Sequence, residues 1–298
     1  MRKMYTIGTL TPYDWQPFGH LMYSSMVRRL EQGWDQERIV MVGAKASDTP
    51  VGLAVLAWDK AERIAMLHNI FVLKEHRRKG LATELFRHLY SHCQRNGIKL
   101  ILCDYYVQQG ATSPLEAWLG RNGFTPPKME ALVYRIDGRI AQAPWLGKRY
   151  SLPLDLQLVP WVEVEDTLRQ KLRTDPDVAY PLFLSPFKNH APLEPLNSLA
   201  LLASSGIVGW SISYRLRPDV ILYDALYVAP AYQHSGLAVA VLSEAIRLHL
   251  EQVDKIPIGL FAVNKSTLGM FKLARRWVEP YAVRVSERRR CELVVEQQ

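Results

Sequence analysis

Two stretches of the chain combine a glycine-bearing turn with the groups that a phosphate-rich ligand needs. Arg77-Arg78-Lys79-Gly80-Leu81-Ala82 follows the apolar run Ile70-Phe71-Val72. It leads into Leu81–Tyr90, where apolar residues recur at helical spacing. A glycine at such a strand-to-helix turn lets a ligand approach the backbone closely. The helix start beyond it offers unpaired N–H groups and the positive end of a dipole. With three cations alongside, this is the chemistry of a pyrophosphate cradle. Gln233-His234-Ser235-Gly236-Leu237-Ala238 repeats the arrangement after Leu226-Tyr227-Val228, with less charge. Gly80 and Gly236 lie 156 residues apart, so the chain of 298 residues carries an internal repeat. No GxGxxG or GxxxxGK[ST] pattern accompanies either loop.

The elements that must position these loops also come in two sets. Strand-like runs at Arg38–Ala44 and Val51–Trp58 precede the first loop, and runs at Ser198–Ala203 and Ile207–Tyr214 precede the second. The gaps Ser47-Asp48-Thr49-Pro50 and Ser204-Ser205-Gly206 have hairpin-turn composition. A strand follows each helix, at Lys99–Cys103 and at Pro257–Val263. This order predicts a mixed α/β protein. Gly138, Pro144, Gly147 and Pro153 suggest a boundary, giving domains at 1–140 and 153–298 with a linker at 141–152. The proline-rich stretch Pro176–Pro195 reads as an insertion over a substrate cleft.

Composition narrows the class. The chain is 48% hydrophobic and 22% charged, which excludes a mostly disordered protein. No stretch has the apolar length of a membrane span, and no apolar signal core follows the basic Met1–Thr6. The three cysteines form no CxxC pair, so neither a disulfide scaffold nor a metal site is expected, and a cytoplasmic location fits. The net charge of +8 suits a polyanionic cofactor, and no nucleic-acid partner is expected from it. Cys93 reads as core, His88 and His92 as a solvated helix face, and Arg288-Arg289-Arg290 as a solvated strand edge or turn.

Arg77-x-x-Gly80-x-Ala82 and Gln233-x-x-Gly236-x-Ala238, each after a strand ending in Val, resemble the signature of the GNAT acyltransferase superfamily. Trp118-Leu119-Gly120-Arg121-Asn122-Gly123-Phe124 looks like that family's helix ending in Gly-Phe, and Leu132-Val133-Tyr134-Arg135 like its closing strand. The resemblance implies two tandem GNAT-like domains, each a mixed, mostly antiparallel twisted sheet flanked by helices. It implies acetyl-CoA or another acyl-CoA as cofactor. The pyrophosphate would lie on Arg77, Arg78, Lys79, Gly80, Leu81 and Ala82, or on Gln233, His234, Ser235, Gly236, Leu237 and Ala238. The pantetheine arm would pair with Ile70, Phe71 and Val72, or with Leu226, Tyr227 and Val228, and Asn264 would contact the arm or cap the next helix.

The reaction implied is transfer of an acetyl or longer acyl group to an amine of a small molecule or peptide. The family's strand carboxylate falls at His68 in the first half and at Asp224 in the second, the candidate bases. A neutral histidine can accept a proton near pH 7 without a large shift. The family's frequent general-acid tyrosine is absent, its positions being Leu119 and Lys272, and the second half has Arg276-Trp277 in place of Gly-Phe. Tyr105 or Tyr106, at the end of the strand Leu100–Asp104, could serve as acid or line the channel. The alternative is that one half is catalytic and the other a degenerate structural or ligand-binding domain.

Overall fold

The computed structural model describes residues 5–33, 35, 38–148, 150–175, 180–188, 191–233 and 235–296. They form two compact units, one of residues 1–129 with 288–298, the other of residues 130–287. In chain order the first unit contains β1 (Tyr5–Thr9), a 3-10 turn (Gln16–Leu21), α1 (Ser24–Gln32), β2 (Ile39–Ala46), β3 (Thr49–Asp59) and β4 (Ile64–Val72). Then come a 3-10 turn (Lys74–His76), α2 (Leu81–Arg95), β5 (Leu100–Gln108) and α3 (Pro114–Arg121). Strand β6 (Lys128–Ile136) belongs to the second unit from Glu130 on. It is followed by β7 (Gln157–Pro160), α4 (Asp166–Thr174), β8 (Leu199–Ala203), β9 (Gly206–Arg217), β10 (Val220–Val228), α5 (Leu237–Leu250), β11 (Ile258–Asn264) and α6 (Leu268–Trp277). The last strand, β12 (Arg284–Val294), lies in the first unit from Arg288 on.

The first unit's sheet runs β1-β2-β3-β4-β5-β12 and the second's runs β6-β11-β10-β9-β8-β7. Both are mixed: β4 and β5 pair in parallel, as do β10 and β11, while β1–β4 and β7–β10 are antiparallel meanders. The expected fold class thus holds for each unit. The strands β2 and β3 are continuously apolar because both faces are covered. Val40, Val42, Ala54 and Leu56 pack against Leu81, Leu85, Leu89 and Cys93 of α2. Met41, Leu53 and Val55 face Trp15, Phe18, Leu21 and Leu30 on the opposite side.

The division of the chain differs from the expected 1–140 and 153–298. Leu132–Arg135, expected to close the first domain's sheet, instead pairs with β11, in register from Gly259↔Ile136 to Asn264↔Ala131. The first sheet is closed by residues of the chain's far end, with Val295 N–H on the Lys99 carbonyl at 2.9 Å. Nor is 141–152 a free spacer. Trp145 is buried on Trp277 and donates from Nε1 to that residue's carbonyl at 3.0 Å. No helix among the described residues is long and apolar enough to cross a membrane.

Candidate active site

The loops at Gly80 and Gly236 have nearly superimposable conformations. Gly80 has φ 81 and ψ −6, Gly236 has φ 81 and ψ −1, and each caps the following helix. This left-handed region is open to glycine at no steric cost. The first intrahelical bond of α2 runs from Glu84 N–H to the Gly80 carbonyl, so the N–H groups just before it remain available to an anion. Arg77 Nε donates to the Val72 carbonyl at 2.9 Å, and Gln233 Nε2 donates to the Val228 carbonyl at 2.9 Å. The first residue of each motif therefore ties the loop to the strand end. Arg77 also lies over the Phe71 ring at 5.6 Å. Lys79 turns its amine to the Glu75 carbonyl at 3.0 Å, and Ser235 Oγ donates to the Tyr232 carbonyl at 2.6 Å. His234 lies outside the described residues.

The parallel strands part just below these loops. The β4–β5 register ends at Met66↔Leu102, yet β4 runs on to Val72 and β5 to Gln108. The β10–β11 register ends at Tyr223↔Phe261, with β10 reaching Val228. An open strand edge presents backbone N–H and C=O groups that need partners. In the first unit a cleft of about 1110 Å³ lies here, lined by Ile70, Phe71, Val72, Arg77, Arg78, Gly80, Leu81 and Ala82 and walled by Leu115, Trp118 and Arg121 of α3. A second cavity of about 740 Å³ is lined by His20, Tyr23, His68, Asp104, Tyr105, Tyr106 and Ser113. Both cavities touch Ile70, Phe71 and Leu115. These groups fit an acyl-CoA: an anion cradle, an open peptide edge for an amide-bearing arm, and a second chamber where its reactive end would emerge.

The candidate bases sit at matching irregularities. Between β3 and β4 the register passes from Val55↔Asn69 to Leu56↔Leu67, leaving His68 as the extra residue of a β-bulge. Between β9 and β10 it passes from Tyr223↔Ser213 to Ala225↔Ile212, leaving Asp224 in the same position. A bulge re-aims a side chain while the strand continues. In the first unit it exposes His68 to the second cavity. The neighbouring Asn69, buried, donates to the carbonyls of Leu21 and Leu53, fixing the cavity wall to the strand. In the second unit the bulge side chain meets Lys188, whose Nζ lies 2.6 Å from Asp224 Oδ2.

Tyr105 and Tyr106 lie within β5 rather than after a strand ending at Asp104. Tyr105 is buried, and its hydroxyl donates to Glu116 Oε1 at 2.9 Å with Cys291 Sγ at 3.8 Å. Burial, then the bond to Glu116, pushes the phenol well above its ordinary value, so it stays protonated. Glu116 also accepts from Arg289 Nη1 at 2.6 Å. Arg290 makes a two-pronged contact with Asp104, at 2.7 and 2.8 Å. Arg289 and Arg290 of the run expected as a solvated edge are therefore held inward by carboxylates on α3 and β5. Nothing in the local sequence around Asp104 or Glu116 signals these long-range partners. Tyr106, alternating to the other side of β5, is exposed. Leu119, at the usual acid position, is fully buried. The Asn264 carbonyl accepts from Thr267 N–H and Oγ1 at 3.1 and 2.7 Å, holding the entry to α6.

His92 also departs from the solvated face expected of it. It packs edge-on against Trp58, and burial followed by the Arg95 charge lowers its pKa, while His88 is exposed. All three cysteines are buried thiols, and burial pushes Cys93 and Cys103 up to about 12. The folded protein should therefore resist iodoacetamide at pH 8 and label only after denaturation. Rapid alkylation of one thiol in the native state would contradict this placement.

Residues 9–120 match the model of the Acetyltransferase (GNAT) family. No curated protein matches the chain in sequence. Among solved structures, a tandem GNAT protein from the clavulanic acid biosynthesis pathway, without acetyl-CoA, is similar over 99% of this chain and 100% of its own. Its TM-score is 0.74 at 12% identity. A GCN5-related N-acetyltransferase from Sphaerobacter thermophilus is similar over 98% of this chain and 96% of its own, with TM-score 0.61 and 15% identity. A conserved protein of unknown function from Enterococcus faecalis V583, described as a probable N-acyltransferase, covers 99% of this chain and 74% of its own, with TM-score 0.55 and 11% identity. The matched family segment ends in α3 and holds the whole first loop and its cleft up to Trp118, while the structural likeness extends over both units. Residues 9–120 are thus similar to the Acetyltransferase (GNAT) family, and the chain as a whole has the fold of a tandem GNAT protein.

Proposed function

We propose that the first unit transfers an acyl group from acyl-CoA to an amine, with His68 as the base. The observation that carries this reading is the meeting of two cavities at Ile70, Phe71 and Leu115, one beside the Gly80 loop and the other beside the bulged His68. Acyl-CoA, when bound, supplies an acyl group activated as a thioester with a thiolate leaving group. The chain's own groups do the rest. The α2 N-terminus with Arg77 and Arg78 holds the phosphates, and the β4 edge from Ile70 to Val72 aligns the arm. His68, directly or through a water, takes the proton that the amine releases on attack. Tyr105, already donating to Glu116, holds the wall between β5 and α3 and is not needed as the acid.

The second unit keeps the donor-loop conformation but fills its acceptor side. Residues 180–188 lie over β9 and β10: Trp210 Nε1 donates to the Leu184 carbonyl at 2.9 Å, and Tyr180 meets the rings of Trp210 and Tyr227 edge-on. Tyr227, which corresponds to the exposed Phe71, is buried and stacked on Trp210. With Lys188 on Asp224, an external amine has no clear approach to that bulge.

Calorimetry and an acyl-transfer assay on Gly80→Val and Gly236→Val test the assignment. No atom would meet a Cβ at either position within 4 Å, so backbone strain at φ +81, not crowding, is the perturbation. Gly80→Val should weaken acyl-CoA binding by about tenfold or more, roughly 1.4 kcal/mol, and remove transfer to added amines. Gly236→Val should leave that transfer in place. The opposite pattern would assign external catalysis to the second unit.

A further inference from the structure

We propose that Lys188 is the acceptor amine of the second unit, so that this unit acylates its own chain. The inference extends the reading above to the second donor loop, and rests on that loop binding acyl-CoA. In the first unit the bulge residue of β4 faces an open cavity; in the second the same position already holds an amine. Lys188 Nζ lies 2.6 Å from Asp224 Oδ2, within the reach required of a general base, and the two side chains are 25% and 16% exposed. The amine is not there by the chance of a floppy surface side chain. Its Nζ also donates to the Phe183 carbonyl, and its own carbonyl accepts the Tyr214 hydroxyl at 2.7 Å. Phe187, beside it, packs on Trp161 and lies under Arg173. Such anchoring fixes a nucleophile as proximity catalysis requires.

The loop that would deliver the donor is also kept. Gly236 caps α5 in the left-handed conformation, Gln233 ties the loop to Val228, and β10 leaves β11 beyond Tyr223, the residue before Asp224. A segment serving only as a plug would need no amine at the bulge. An apolar side chain would fill the space without the cost of desolvating a charge pair.

The step balances with acyl-CoA as the only co-reactant. Asp224 removes a proton from the Lys188 ammonium. The neutral nitrogen forms the amide bond to the acyl carbon as the carbon–sulfur bond breaks, and its second proton passes to solvent. The thiolate leaves with the electron pair and is protonated by Asp224 or solvent. The product is one acyl-lysine and free CoA, formed once per chain. It would also abolish the ion pair to Asp224.

Purified full-length protein incubated with acetyl-CoA, followed by intact-mass measurement and peptide mapping, tests this. One acetyl group on Lys188 is expected, absent in Lys188→Arg. Asp224→Asn, which preserves shape, should slow its appearance by about 10²-fold or more. Gly236→Val should suppress it, whereas His68→Ala should not. An unmodified Lys188 in protein shown by calorimetry to bind acetyl-CoA at the second loop would overturn the proposal. So would equal modification in Asp224→Asn, the mark of spontaneous chemistry. If the second loop binds no acetyl-CoA, the proposal fails with it. Transfer to added amines, measured on the same samples, reports separately on the first unit.

Discussion

His68→Ala should lower kcat for transfer to an added amine by about 10²–10⁴-fold, the usual scale for loss of a general base. The affinity for acyl-CoA should be almost unchanged, because under the proposed reading the Gly80 loop, the α2 N-terminus and the β4 edge would hold it without His68. The pH profile separates this role from a merely structural one. An imidazole base is competent only when neutral, so in the intact protein the lower limb of the pH profile should depend on His68. The acceptor amine must also be neutral and adds its own, higher limb. In His68→Ala only the amine's limb should remain, and His68→Gln should not restore the lost one. The bulge that carries His68 survives either change, since backbone pairing defines it. Asp224→Ala should be nearly silent in this assay. If the profile of His68→Ala kept its lower limb, the base would have to be sought elsewhere on the cavity wall. His20 is the other histidine there.

The internal repeat was legible because its parts are local. A strand ending in valine, a glycine that must take positive φ and a helix with one apolar stripe each leave a short-range mark. Gly80 and Gly236 are therefore recognisable as equivalents in the sequence, and so are His68 and Asp224. That both sit on bulges could not be read: a bulge is a relation between two strands, and neither strand alone announces the extra residue. The same limit explains the misplaced boundary. Lys128–Ile136 and Arg284–Val294 both look like strands, but the sheet that each completes is decided by pairing across more than a hundred residues. Arg288-Arg289-Arg290 followed suit. Three consecutive cations read as solvent-exposed unless carboxylates as distant as Asp104 and Glu116 are known to wait for them. The cavity wall at His20–Tyr23 carries no periodic signal, since it is the end of a short 3-10 turn and the two-residue link to α1.

Those distant carboxylates carry the second large effect. Arg289→Ala should destabilise the first unit by about 3 kcal/mol, the lower end for removing one partner of a largely buried ion pair. The Arg289 and Glu116 side chains are each only 16% exposed, and the loss strands a carboxylate that also accepts the Tyr105 hydroxyl. Burial by itself pushes Glu116 up. The hydrogen bonds from Arg289 and Tyr105 and the arginine's charge outweigh it, leaving the carboxyl below its ordinary range. The sign for stability follows. A carboxylate whose folded value is depressed contributes stability that is fully present above its unfolded value and is lost as the pH falls through the folded one. The intact protein should therefore shed this contribution on acidification through the carboxylate range, and Arg289→Ala should have little of it left to lose. Glu116→Gln combined with Arg289→Met should recover most of the midpoint, because no charge is then left unpaired. Urea unfolding at neutral and acidic pH, followed by a probe in the first unit, measures all three variants. An Arg289→Ala midpoint equal to that of the parent at neutral pH would show that the contact is a surface pair of little energetic consequence. The acceptor wall would then owe its shape to β5 and α3 alone.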